Sequence, residues 1–159
     1  MGKTTSGNTC NQDSVWEYTF PRELQQLAMV RGMIRKACRE TWQEDKTEAI
    51  ESFLLAIQEA GTNIIRHGYH DPEGRWIQLH IRATSEDVTV TFSYPGEPFD
   101  PSIVPNPCFD GTREGGYGIY LIKNLVNSVC YDQDESGYCR IRLHQYRVPK
   151  PKGNSRPCN

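Results

Sequence analysis

Glu59, Asn63 and Arg66 fall at intervals of four and three in a segment whose isoleucines Ile50, Ile57 and Ile64 recur every seven residues. On a helix turning about 100° per residue, the three polar side chains share one face that points away from the apolar stripe. A carboxylate and a carboxamide one turn apart can work as a pair. The amide oxygen ligates a hard cation such as Mg²⁺, and the carboxylate positions or deprotonates a nucleophile. The plainer alternative is that Glu59 and Asn63 are the wet side of an amphipathic helix. Against it stand Ala56, Ala60, Gly61 and Thr62, small residues around the pair where a freely solvated face usually carries Lys, Glu and Gln. They imply that something lies close against this helix. His67 follows, either as a C-terminal helix residue favoured by the dipole or as a further polar group of a site.

A second cluster is Gly115-Gly116-Tyr117-Gly118, which ends a long connection and opens an apolar-periodic segment. Glycines let the backbone approach a phosphate, and free N–H groups at a helix start favour its charge. Such glycines also serve as ordinary turns, and from this motif alone both readings stay open. Arg113 can add a cation to a bound phosphate or sit in solvent, and Lys123, one turn into the segment, reads as a surface residue. The chain has no P-loop motif, no GxSxG elbow and no HExxH pair, so those enzyme templates lack their central residues.

These residues need a scaffold to position them. Trp16, Tyr18 and Phe20 alternate with Val15, Glu17 and Thr19, the period of a strand over Ser14 to Phe20, which Pro21 ends. Leu24, Leu27, Val30, Ile34 and Ala37 recur at three and four and predict a helix from Arg22 to Trp42, with Pro21 at or just before its first turn. A second helix is expected from about Lys46 to His67, carrying Glu59 and Asn63. Arg75 to Ala83 and Val88 to Tyr94 alternate on either side of a turn and predict a hairpin. Next comes a long connection without periodicity, uncommon inside a compact domain and often functional. A third helix starts at the glycines, and the strands Ser128 to Asp132 and Tyr138 to Tyr146 follow around a turn at Gly137. The order β-α-α-β-β-α-β-β predicts an α+β architecture: a two-layer sandwich in which one mixed, mainly antiparallel sheet is covered on one face by three helices.

A length of 159 residues suits one domain. Residues 14 to 146 are expected to form it, between a polar leader (1 to 13) and a basic, Pro-containing tail (147 to 159), both expected to be mobile. The net charge of −2 excludes the global basic field of a nucleic-acid binder. No apolar run is long enough for a membrane span and the start has no signal-peptide core, so the expectation is a cytoplasmic protein with no membrane partner. The six cysteines form no CxxC pair and read as free thiols.

The run from Glu59 through Asn63, Arg66 and His67 to Tyr69 resembles the N box of the GHKL ATPases, in the form used by bacterial anti-sigma-factor serine kinases. Gly96-Glu97-Pro98-Phe99-Asp100-Pro101 is similar to the G1 box, and Gly115 to Ile122 to the G2 box, in the same order and spacing. The resemblance covers about Ser14 to Tyr146 and implies the histidine-kinase-like (Bergerat) fold. It further implies ATP and Mg²⁺ as cofactors, with Asn63 as metal ligand and Glu59 as general base. The ATP would be held by Asn63, Arg66, His67, Tyr94, Gly96, Phe99, Arg113, Gly115, Gly116, Tyr117 and Gly118. The implied partners are a STAS-domain anti-sigma-factor antagonist, whose serine is phosphorylated, and a sigma factor; a homodimer is an admissible assembly. At 159 residues a complete sensor histidine kinase is not the expectation. One position departs from the pattern. Where the G1 box has an Asp two residues before its glycine, accepting a hydrogen bond from the adenine amino group, this chain has Tyr94. A lost charged hydrogen bond costs about 1.5 to 3 kcal/mol, roughly ten- to a hundredfold in affinity. The alternative reading is therefore a degenerate, non-catalytic binding module of the same fold with weak or no ATP binding.

Overall fold

The computed structural model describes residues 13–44, 46–68, 76–110 and 116–148. Its elements are β1 (Ser14–Pro21), α1 (Gln26–Trp42), α2 (Glu48–His67), β2 (Trp76–Ala83), β3 (Asp87–Pro95), a 3-10 turn at Pro101–Ile103, α3 (Tyr117–Leu125), β4 (Ser128–Gln133) and β5 (Tyr138–Tyr146). The order is the one the periodicities predict, with the 3-10 turn added inside the long connection. Asp100 caps that turn by accepting from the Ser102 amide at 2.8 Å.

The helix starts follow from local hydrogen bonding. α1 begins at Gln26 rather than Arg22 because Glu23 donates to the Pro21 carbonyl, and Gln26 and Leu27 donate to those of Glu23 and Leu24. These tight bonds turn the chain before the α-helical ladder begins. α2 begins at Glu48 because the Thr47 hydroxyl accepts from the Ile50 amide at 3.3 Å, with Glu48 and Glu51 in the first turn where the helix dipole favours them.

The five strands form one sheet in the order β1-β2-β3-β5-β4. All four pairings are antiparallel, so the expected mixed sheet is antiparallel throughout among the described residues. Alternation sorts each strand into two faces. Ile77, Leu79 and Ile81 of β2, Val90 and Phe92 of β3, and Ile141 and Leu143 of β5 are buried in one core with Val30 and Ile34 of α1 and Phe53, Ile57 and Ile64 of α2. α2 packs against both α1 and α3 in the helix layer. Its position explains why its small residues are buried rather than wet.

Cross-ties fasten the layers. The Trp42 indole donates to the Thr84 carbonyl at 2.7 Å and pins the end of α1 to the β2–β3 turn. Asp13 pairs with Arg82 at 2.6 Å, and the Arg147 amide donates to the Glu86 carbonyl at 2.7 Å. The innermost residues of the expected leader and tail are thus tied to the sheet; residues 1–12 and 149–159 lie outside the described residues. Cys38, Cys108 and Cys139 are free, and burial pushes the Cys38 thiol up to about 12. Cys130 is disulfide-bonded, which corrects the reading of six free thiols. A cystine depends on two Cα atoms approaching within about 7 Å, a property that spacing along the chain does not reveal. No helix among the described residues is long and apolar enough to cross a membrane.

Candidate active site

The polar face of α2 meets the start of α3. A Cβ placed on Gly118 would lie 3.0 Å from Glu59 Oε2, 3.5 Å from Asn63 Nδ2 and 3.6 Å from Asn63 Oδ1. Backbone therefore sits where a side chain would not fit without displacement, against both polar groups of the pair. Glu59 and Asn63 are partly buried by this contact, while Arg66 and His67 are exposed. Gly116 is the N-cap residue of α3 with φ of 80°, a conformation other residues adopt only under strain, and a Cβ there would also meet the Pro105 carbonyl at 2.7 Å. The first bond of the helical ladder runs from the Tyr120 amide to the Gly116 carbonyl at 3.1 Å. The N–H groups of Tyr117, Gly118 and Ile119 precede it and have no helical acceptor.

Between these helices and the sheet lies a cavity of about 380 Å³, within the range of roughly 300 to 1,000 Å³ that small-molecule sites occupy. Asn63, Ile64 and His67 of α2 and Gly118, Ile119 and Ile122 of α3 form its walls, and Tyr94, Tyr131 and Ile141 lie on the sheet side. Tyr94 is 2% exposed. Its ring edge reaches the two glycines that flank it: a Cβ on Gly68 or Gly96 would lie 2.9 or 3.2 Å from Tyr94 Cε2. A Cβ on Gly96 would also collide with the Gly68 carbonyl, so the end of α2 and the segment after β3 meet backbone to backbone. Burial, with Cys139 and Tyr131 nearby, holds the Tyr94 phenol well above its ordinary range, and it stays neutral. Tyr131 is pushed up to about 12 by burial. Its hydroxyl is buried with no hydrogen-bond partner among the described residues, an arrangement that costs about 1 to 3 kcal/mol. The Tyr131 ring packs against Phe99 with centroids 5.6 Å apart.

Of the residues singled out from the sequence, Asn63, His67, Tyr94, Phe99, Gly116 and Gly118 line the cavity together. Glu59 stands beside it against Gly118, and Gly96 backs the Tyr94 ring. Arg66 and Tyr117 are not on the lining. The Tyr117 hydroxyl donates to the Cys108 carbonyl at 2.9 Å and its ring meets Phe109 edge-on, so this side chain braces the preceding loop. Arg113 and Gly115 lie outside the described residues. Sequence reasoning missed Val104, Ile122, Tyr131 and Ile141 as lining residues. The available signal was alternation in the last hairpin, where Tyr131 pairs with Ile141 and shares its inward face.

A magnesium–nucleotide complex suits this arrangement. The Asn63 oxygen is a hard donor, and the Gly118 backbone comes against it with no side chain between them. Among the described residues no three acidic, His or Cys side chains converge to cage a metal, so a cation here would rest on Asn63 and the ligand's own phosphates.

The chain belongs to the histidine kinase-like ATPase domain family, which matches residues 20–143. Among curated proteins it is similar to the serine-protein kinase RsbW of Oceanobacillus iheyensis, 30% identical over 90 residues that make up 52% of this chain and 57% of that one. It is also similar to the serine/threonine-protein kinase BtrW of Bordetella bronchiseptica, 25% identical over 62% of this chain and 72% of that one. RsbW of Bacillus subtilis is 26% identical over 52% of this chain and 56% of its own length. The chain spans little more than half the length of these RsbW relatives. Among solved structures, the histidine kinase domain of a blue-light activated histidine kinase from Erythrobacter litoralis EL346 matches 75% of this chain and 60% of that one, at 20% identity and a TM-score of 0.47.

Proposed function

We propose that this chain is an ATP-dependent serine/threonine protein kinase of a bacterial partner-switching circuit, which phosphorylates a STAS-domain antagonist and sequesters a sigma factor. The observation that carries the reading is the packing of Gly118 onto Glu59 and Asn63 beside the cavity, with the Gly118 Cβ position 3.0 Å from the carboxylate. The names of the similar kinases support the same reaction class. When bound, MgATP supplies the phosphoryl group and the cation that offsets its charge. Asn63 Oδ1 serves as the protein's metal ligand. The N–H groups at the start of α3 bind phosphate oxygens, joined by Gly115 and the Arg113 cation. Arg66 and His67, exposed at the end of α2, and Tyr94, Gly96, Phe99 and Tyr117 complete the nucleotide's surroundings, Tyr117 by bracing the loop. Glu59 accepts the proton of the incoming serine hydroxyl. Catalysis on this account is positioning plus electrostatics.

Incubation with γ-labelled MgATP and the STAS partner is expected to label a serine or threonine on the partner, and Glu59→Gln to slow labelling by roughly a hundredfold or more. Wild-type protein that binds MgATP and leaves the partner unlabelled would reject the kinase reading.

The buried, neutral Tyr94 favours a second reading, a non-catalytic module that holds its partner by surface contacts alone. Calorimetry separates the two: micromolar MgATP binding abolished by Asn63→Ala rejects the second, and no detectable binding selects it.

A further inference from the structure

Resting on the nucleotide reading above, we propose that Phe109 is a positioning residue for that site. Its ring clips the first turn of α3 in place, and the clip holds the N–H groups of Tyr117, Gly118 and Ile119 where a phosphate can meet them. The start of α3 has little of its own to keep it folded. Ile122 is the buried residue of this helix, while Tyr117 to Leu121 are exposed or half-buried. Gly116 gives no side-chain cap, and the first turn has no acidic residue to favour the dipole. Gly118 adds the freedom of glycine to a helix of nine residues, a length at which isolated helices do not persist in water.

The preceding loop supplies what the helix lacks. The Phe109 ring lies edge-on to Tyr117 and to Tyr120, with centroids 5.9 and 5.3 Å away and interplanar angles of 75° and 71°. Those tyrosines are three residues apart, neighbours on one face of the helix, so a ring that touches both spans the first turn. Next to Phe109, the Cys108 carbonyl accepts from the Tyr117 hydroxyl at 2.9 Å and ties the loop to the same turn. Phe109 is itself 71% exposed. A ring so open to water adds little to the core, and its removal acts locally, on the two tyrosines. Each edge-to-face pair favours the formed turn by about two- to tenfold. Without the clip the turn frays, its donors scatter, and the apparent affinity for a phosphate falls with the fraction of molecules in which the turn is formed.

The test uses the full chain as wild type, Phe109→Ala and Phe109→Tyr, the last keeping the ring. Amide hydrogen exchange followed by NMR without ligand reads the turn directly, because the Tyr120 amide makes the first helical bond, to the Gly116 carbonyl. In Phe109→Ala that amide is expected to exchange roughly fivefold faster or more, while the amides of β3 and β5 and the melting temperature stay as in wild type. Calorimetric titration of the same variant is expected to show MgATP binding about three- to tenfold weaker. Phe109→Tyr should restore both readouts. Unchanged exchange at Tyr120, faster exchange throughout the sheet, or an unchanged MgATP affinity in Phe109→Ala each overturns the inference while the nucleotide reading stands. Wild type that binds no MgATP removes the nucleotide reading, and the role of Phe109 with it.

Discussion

Glu59 lies against the backbone of Gly118, and that opens the role proposed for it to a subtle test. Gly118→Ala adds one methyl group 3.0 Å from Glu59 Oε2, closer than ordinary van der Waals contact, so the carboxylate or the start of α3 must shift by a few tenths of an ångström. Misplacement by about 1 Å at a reacting centre costs on the order of a hundredfold. Phosphoryl transfer by Gly118→Ala is expected to fall at least several-fold while the melting temperature changes little, because the methyl enters a partly exposed site. An unchanged transfer rate would detach Glu59 from the chemistry. Tyr131 yields a second prediction. Its folded value of about 12 exceeds the ordinary phenol value of about 10, so the stability it contributes is complete below about pH 10 and is lost as pH rises through about 12. Ultraviolet difference titration should show a phenol ionising late, and the alkaline fall in the denaturation midpoint should be shallower in Tyr131→Phe. At this scale the sequence was legible where residues belong to a contiguous pattern. Glu59 and Asn63 sit one helical turn apart and announce themselves, whereas Tyr131 is one inward position among many in a strand, and only the fold turns it toward the cavity.

Helices and strands carried the clearest signal, because burial on one face imposes periods of 3.6 and 2. Phe20, Ile50, Ile57 and Ile64 are all almost wholly buried, as their spacing requires. What escaped was set by single hydrogen bonds: the tight turn between Pro21 and Gln26, the Thr47 cap and the 3-10 turn at Pro101. Gly61 shows two element-scale effects in opposition. Replacing it by Ala in α2 gains about 1 kcal/mol of helix propensity. The added Cβ, however, would collide with Leu27 of α1, a side chain only 1% exposed and without room to retreat. Overpacking of this kind costs about 1 to 3 kcal/mol. Packing should prevail, and Gly61→Ala is expected to be destabilised by about 1 kcal/mol in urea denaturation. A stabilised variant would mean that the seam between α1 and α2 is looser than the geometry indicates.

Across the whole molecule, the strand order was the least legible feature, because β5 enters the sheet between β3 and β4 and nothing in its own alternation names its neighbours. That insertion brings distant residues together, and Asp87 is where it can be measured. At the start of β3, Asp87 accepts from the Thr84 hydroxyl at 2.8 Å and lies 3.0 Å from His144 Nε2 on β5, while Thr84 also receives the Trp42 indole from α1. One carboxylate thus joins the β2–β3 turn, the late-arriving strand and, through Thr84, the helix layer. Burial opposes its charge, but hydrogen bonds with His144 and Thr84 and the positive charges of His144 and Arg82 outweigh that and hold the carboxyl below its ordinary range. A depressed folded value means that the stability contributed by the charge is fully present above the unfolded value of about 4 and is lost as pH falls through the folded one. The urea midpoint of wild type should therefore exceed that of Asp87→Asn near neutrality, with the gap closing only below about pH 4. A gap absent at all pH values would mean that β5 is held in the sheet by its backbone ladder alone.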